Sequence, residues 1–234
     1  RCQRSQHTHD SPHDGTSRSG GSIRLAGTVR SGPVSFNCAV AKEWRVSTEP
    51  NSARDGPRLR TPRLELIAST GAMACADAAR DYATLSRLLS ATIPADWPPA
   101  LTLDVLDFFA DTLTAHPEQA GWWGWFVVRP GAAPAERVLI GGIGFKGPPT
   151  PEGTVEMGYS VLPAFEREGY ATEAAGALLT WAFADTRVAR VVAETLPDGI
   201  ASQRVLTKLG FTLAGPGCEP GTLQFRLDRA DYRP

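Results

Sequence analysis

The stretch richest in usable chemistry runs from Thr154 to Phe183, TVEMGYSVLPAFEREGYATEAAGALLTWAF. A strand-like run stops at Pro163, a short polar loop covers Phe165–Gly169, and apolar residues then recur at helical spacing. A helix starting near Gly169–Thr172 presents backbone N–H groups without intrahelical partners, at the positive end of its macrodipole. Gly169 and Ala171 are small enough to let a bulky anion reach that backbone, and Thr172 adds a hydroxyl donor. These are the parts of a main-chain phosphate cradle. A plain strand-to-helix connection has the same outline, so this segment alone leaves both readings open.

Other patterns carry less. Gly142–Gly147 (GIGFKG) matches G-x-G-x-x-G, but a dinucleotide fingerprint must open a helix and here Pro148-Pro149-Thr150-Pro151 follows. A strand end and a tight turn is the better reading. No P-loop and no G-x-S-x-G occurs, and the compact region holds a single histidine, His116, which argues against a Ser-His-Asp triad. Cys2, Cys38, Cys75 and Cys218 are scattered, with no C-x-x-C pair, and read as reduced thiols. His7, His9 and His13 have a spacing that could hold a metal, but they lack acidic or Cys partners and read as incidental, so no metal is expected.

These residues need a scaffold, and the composition supplies one. The 234 residues are 42% hydrophobic and 21% charged, with a formal net charge of -1, which argues against a dedicated nucleic-acid binder. No apolar run approaches the ~18 residues of a membrane span, and no secretory leader opens the chain, so a cytoplasmic protein is expected. Residues 1–57 hold only 14 hydrophobics and begin RCQRSQHTHDSPHDGTSRSGGS. Such a segment cannot bury enough apolar surface to offset its ordering entropy, and is expected to be a poorly ordered extension. Residues 58–234 form one domain. Strands are expected over Leu59–Ile67, Trp122–Arg129, Arg137–Phe145, Thr154–Leu162, Val188–Leu196, Phe211–Ala214 and Thr222–Leu227. Helices are expected over Ala76–Ser90, Leu103–Leu113, Ala171–Phe183 and Ala201–Leu209. The order β-α-α-β-β-β-α-β-α-β-β makes an α/β (α+β) domain around a mainly antiparallel sheet.

Glu166-Arg167-Glu168-Gly169-Tyr170-Ala171 resembles the acyl-CoA loop of the GNAT superfamily of N-acetyltransferases, whose pattern is [QR]-x-x-G-x-[GA]. LRTPRLEL (59–66), VEMGYSVLP (155–163) and ETLPDGIASQRVLTKLGF (194–211) resemble further stretches of its Rim-type branch, typified by ribosomal-protein N-terminal acetyltransferases. The resemblance implies a central sheet of about seven strands flanked by helices and splayed between its fourth and fifth strands. It implies acetyl-CoA as cosubstrate, with pantetheine paired to backbone near Val161. The diphosphate would lie on Arg167, Glu168, Gly169, Tyr170, Ala171 and Thr172. A substrate amine would attack the thioester directly, through a tetrahedral intermediate.

That chemistry asks for a proton acceptor, an oxyanion donor and a proton donor for the leaving thiolate. The resemblance points to Glu156 as base, with Glu194 as second choice, to a backbone N–H near Val161 for the oxyanion, and to Ser202 as acid. Each has a plainer reading: Glu156 as a strand carboxylate that pairs with a cation, Ser202 as a helix N-terminal hydroxyl. Three positions depart from the pattern. Glu166 replaces Gln or Arg, at a cost of about 0.7 kcal/mol for a carboxylate roughly 6 Å from a phosphate in water. Gly199 replaces Asn, and Leu206 stands where many relatives carry a Tyr acid. The acceptor side would draw on Asp96, Trp97 and the Trp122-Trp123-Gly124-Trp125 run, either as a wall for substrate or as ordinary core. The expected activity is acetyl transfer to a primary amine, small molecule or protein N-terminus, with no nucleic-acid or membrane partner; a homodimer is compatible. The alternative is an acyl-CoA-binding module without transferase activity.

Overall fold

The computed structural model describes residues 56–99, 105–133 and 136–233. The expected N-terminal extension lies outside the described residues except for Gly56 and Pro57, as do Cys2, Cys38 and the three clustered histidines. Eight strands form one sheet, β1 (Arg58–Arg60), β2 (Glu65–Ala68), β3 (Gly124–Arg129), β4 (Val138–Phe145), β5 (Thr154–Val161), β6 (Arg190–Thr195), β7 (Thr212–Pro216) and β8 (Leu223–Asp228), in the order β1-β2-β3-β4-β5-β6-β8-β7. Every neighbouring pair is antiparallel except β5–β6. Five helices complete the domain: α1 (Gly71–Ala78), α2 (Tyr82–Leu89), α3 (Leu106–Ala115), α4 (Tyr170–Ala184) and α5 (Ile200–Lys208).

The sheet is apolar on both faces because alternate strand residues point opposite ways. On β3, Trp125 and Val127 pack with α4, while Phe126 and Val128 pack with Met73 of α1 and Leu85 and Leu89 of α2. Helix α4 is buried along most of its length, and Leu178 and Leu179 sit at the centre of the larger core. A Leu→Ala change there costs about 2–5 kcal/mol.

Two elements differ from expectation. The single strand over Leu59–Ile67 is two, β1 and β2, folded back through a turn at Thr61–Leu64. Thr61 N–H donates to the Leu64 carbonyl, and Leu64 N–H to Thr61 Oγ1, both at 2.9 Å. Pro62 has no N–H for a ladder and suits the second position of such a turn. The helix over Ala76–Ser90 is also two. Arg80 takes a left-handed φ of 56°, and Asp81 then caps α2 by accepting from Thr84 N–H at 3.0 Å. The sheet therefore has eight strands where about seven were expected. Gly142 and Gly144 lie inside β4 and Gly147 in the turn beyond it, the strand-and-turn reading of G-x-G-x-x-G.

Candidate active site

Strands β5 and β6 are joined by three rungs, Thr154–Arg190, Val155–Val191 and Glu156–Val192. Beyond Glu156, β5 keeps its pairing with β4 and β6 its pairing with β8, and the two strands part. The sheet is thus open beside Tyr159 and Val161. Hydrogen bonding on an antiparallel strand alternates sides. Lys146 N–H donates to the Glu156 carbonyl and Leu162 N–H to the Ile140 carbonyl, so even-numbered residues of β5 face β4. The N–H and C=O groups of Tyr159 and Val161 therefore face the gap.

A 3-10 turn, Pro163–Phe165, leads from β5 into an exposed loop, Glu166–Gly169. Two of its residues are left-handed, Arg167 at φ 63° and Gly169 at φ 81°. An arginine in that region costs of order 1 kcal/mol or more, the kind of local strain found at ligand-binding loops. Gly169 precedes α4, whose first hydrogen bond runs from Glu173 N–H to the Gly169 carbonyl at 3.0 Å. The backbone N–H groups of Arg167 through Thr172 have no acceptor among the described residues. Six adjacent donors at a helix N-terminus fit a diphosphate. Glu166 is solvent-exposed, so its charge is well screened.

On the opposite face lies an open cleft of about 600 Å³, lined by Lys146, Glu156, Arg190, Val192, Gln224 and Arg226 among others. Glu156 is one-quarter exposed and holds Lys146 Nζ at 2.5 Å; Glu219 lies 3.6 Å from the same ammonium. Burial disfavours the charge on Lys146, but the hydrogen bond and charge of Glu156, aided by Glu219 and Glu194, outweigh it and raise the lysine pKa.

Glu194 is occupied elsewhere. Its carboxylate accepts from Cys218 N–H and Thr222 Oγ1, both at 2.7 Å, and from Gln224 Nε2 at 3.3 Å. Burial pushes its pKa up, but these bonds, with a longer one from Glu219 N–H, overcome that and hold it at about 2. Such a carboxylate is a poor base. Glu194 instead ties down the β7–β8 loop, which carries Glu219 to the cleft.

Ser202, on the first turn of α5, meets Tyr159 across the gap: the two hydroxyls are 3.0 Å apart, and Tyr159 Oη also donates to the Ser202 carbonyl at 3.2 Å. Burial raises the Tyr159 pKa against a smaller pull from Ser202, so the phenol keeps its proton at neutral pH. Tyr159 escaped the sequence reading. The signal was its place on the strand, two residues before Val161.

A family model described as an acetyltransferase (GNAT) domain matches residues 59–212. The chain belongs to the GNAT acetyltransferase family. Its relatives include the uncharacterized N-acetyltransferase YjdG of Bacillus subtilis, 30% identical over 155 residues, a match covering 66% of this chain and 89% of the relative. Among solved structures, a GNAT-family acetyltransferase from Bacillus anthracis aligns with a TM-score of 0.51 at 22% identity, over 74% of this chain and 99% of that one. Ribosomal-protein-S5-alanine acetyltransferase from Vibrio fischeri aligns at 0.53 and 18% identity, over 76% and 99%. At these identities the likeness is one of fold.

Measured against the GNAT pattern, the departure at Gly199 has a local cause. Gly199 caps α5, and a Cβ there would stand 2.5 Å from Thr195 Oγ1 and 3.0 Å from the Leu196 carbonyl. An asparagine would require the Thr195 hydroxyl to rotate away and the Leu196 carbonyl to shift slightly. The tryptophans divide as well. Trp97 is buried, with Nε1 donating to Asp77 at 2.7 Å, so it is core rather than an open wall. Trp122 and Trp125 pack on Trp181, and Trp123 packs on Phe108 and Phe109.

Proposed function

We propose that this GNAT protein transfers an acetyl group from acetyl-CoA to a primary amine, small molecule or protein N-terminus, in the cytoplasm. The observation that carries the reading is the coincidence of the parted strands with the unpaired donors. β5 and β6 part beside Tyr159 and Val161, the Arg167–Thr172 amides without acceptors follow β5 in the chain, and Glu156 lies on β5 at the last rung before the strands part. Acetyl-CoA supplies the activated thioester. Arg167, Glu168, Gly169, Tyr170, Ala171 and Thr172 bind its diphosphate through backbone N–H groups, and Val161 offers main-chain groups to the pantetheine arm. A backbone N–H at Val161 faces the developing oxyanion. Glu156 accepts the proton released by the amine, after the acceptor's ammonium displaces Lys146 from the carboxylate. Ser202, backed by the protonated Tyr159, donates to the departing thiolate.

The test is acetyl-CoA turnover against a panel of amines, with Glu156→Gln beside the wild type. Turnover that falls in the variant while acetyl-CoA still binds supports the reading. Equal rates remove Glu156 from the base role. A second reading, acyl-CoA binding without transfer, is favoured by the Lys146–Glu156 ion pair, which occupies the base. Saturable acetyl-CoA binding with no turnover on any amine would select it.

A further inference from the structure

The turn between β1 and β2 touches the acyl-CoA loop through one side chain. Arg63 Nη1 donates to the Glu168 carbonyl at 3.0 Å. Its Nε donates to Glu173 Oε2 at 2.7 Å, and Nη2 lies 2.6 Å from the same oxygen. Its backbone N–H donates to Glu173 Oε1 at 3.0 Å, and its guanidinium lies 4.8 Å from the centre of the Tyr170 ring. Thr61 Oγ1 adds a bond to Glu173 Oε1 at 2.7 Å.

We infer that Arg63 is a positioning residue for the donor's diphosphate: by holding the Glu168 carbonyl, it aims the Gly169 N–H into the cradle. The inference rests on the acyl-CoA reading above. In a trans peptide plane the C=O and N–H point in opposite directions. A Glu168 carbonyl drawn toward Arg63 therefore turns the Gly169 N–H away from the β1–β2 turn, to the side of the unpaired amides. Released, that carbonyl could swing toward the anion and oppose it. The loop's own charges, Glu166, Arg167 and Glu168, sum to one negative and do not supply this orientation.

Arg63 suits the task because it cannot wander. Glu173 is 4% exposed, sits in the first turn of α4 where a carboxylate complements the dipole, and grips both the backbone and the side chain of Arg63. Tyr170 supports the planar group from one face. A lysine would offer one compact ammonium where the fork serves Glu173 and Glu168 together.

The test compares two thioesters, acetyl-CoA and acetyl-pantetheine, which lacks the diphosphate. In Arg63→Lys, KM for acetyl-CoA should rise about tenfold, the worth of one charge-assisted hydrogen bond, with kcat unchanged. kcat/KM for acetyl-pantetheine should not move. Because loss of Arg63 leaves Glu173 buried without its cation, Arg63→Gln is paired with Glu173→Gln, and the double variant should show the same split. An equal loss on both thioesters would overturn the proposal in favour of a purely structural role, and so would no change on either. A wild type that does not prefer acetyl-CoA to acetyl-pantetheine would overturn the diphosphate reading itself, and the role of Arg63 with it.

Discussion

Glu173 and Glu156 are carboxylates held in opposite ways. Glu173 is buried in the first turn of α4 and takes three hydrogen bonds from Thr61 and Arg63, which hold it in place. Glu156 is one-quarter exposed in the cleft and its side chain pairs with the flexible ammonium of Lys146. A half-exposed pair of that kind is worth about 0–1 kcal/mol, so an arriving ammonium can replace the lysine at little cost. Under the proposed function, the contrast would separate a fixed donor side from an adjustable acceptor side of one sheet.

The severest way to break that contrast is Gly169→Glu. It places a carboxylate among the unpaired amides and a side chain at a φ of 81°. CoA affinity measured by calorimetry should fall by at least about a hundredfold. Unchanged affinity would mean that the loop is not the donor site.

Glu156→Gln tests the other side. kcat should fall by about 10²–10³-fold while the Kd for acetyl-CoA stays put. A parallel loss of cofactor binding would show that the two regions are not separable.

A third test uses acid. The folded pKa of Glu194, about 2, lies below its reference value of 4.5. Its ionised form therefore stabilises the β7–β8 loop above about pH 4.5, and that contribution is lost as the pH falls toward 2. Glu194→Gln should flatten this part of the Tm-against-pH curve and leave kcat near wild type at neutral pH. A kcat drop as large as that of Glu156→Gln would reassign the base.

The smallest effect belongs to Tyr159→Phe, which removes the bonds to Ser202 and should cost about 1 kcal/mol of stability in chemical denaturation. If Ser202 relies on the phenol as a proton source, the alkaline limb of the rate profile should shift as well.

Much of the local structure from Pro163 to Thr172 was legible because it is set by neighbouring residues. The change of period at Gly169, the small residue at Ala171 and the stop at Pro163 lie within a dozen residues, and α4 begins at Tyr170 as that pattern requires. What escaped depends on contacts between distant residues. Leu59–Ile67 was read as one strand, because the partner that fixes the turn within it, Glu173, lies 112 residues beyond Thr61. The Lys146–Glu156 pair needs the β4–β5 register, and the commitment of Glu194 needs the β7–β8 loop folded beneath it. Trp97 looked available beside Pro94 and Pro98, and only its bond to Asp77 shows it to be buried structure. The break between α1 and α2 did have a local signal, since Asp81 precedes Thr84 at capping distance.

The three-rung joint between β5 and β6 also bears on the order of assembly. Hairpins such as β1–β2 and β7–β8 close loops of a few residues, whereas the joint must wait for the chain from Leu162 to Ala189, α4 included, to return. Longer closures cost more entropy and come later. The joint is where the strands part, so a folding chain acquires the gap beside Tyr159 and Val161 later than its hairpins. A ligand that grips the gap would therefore slow unfolding more than it speeds folding.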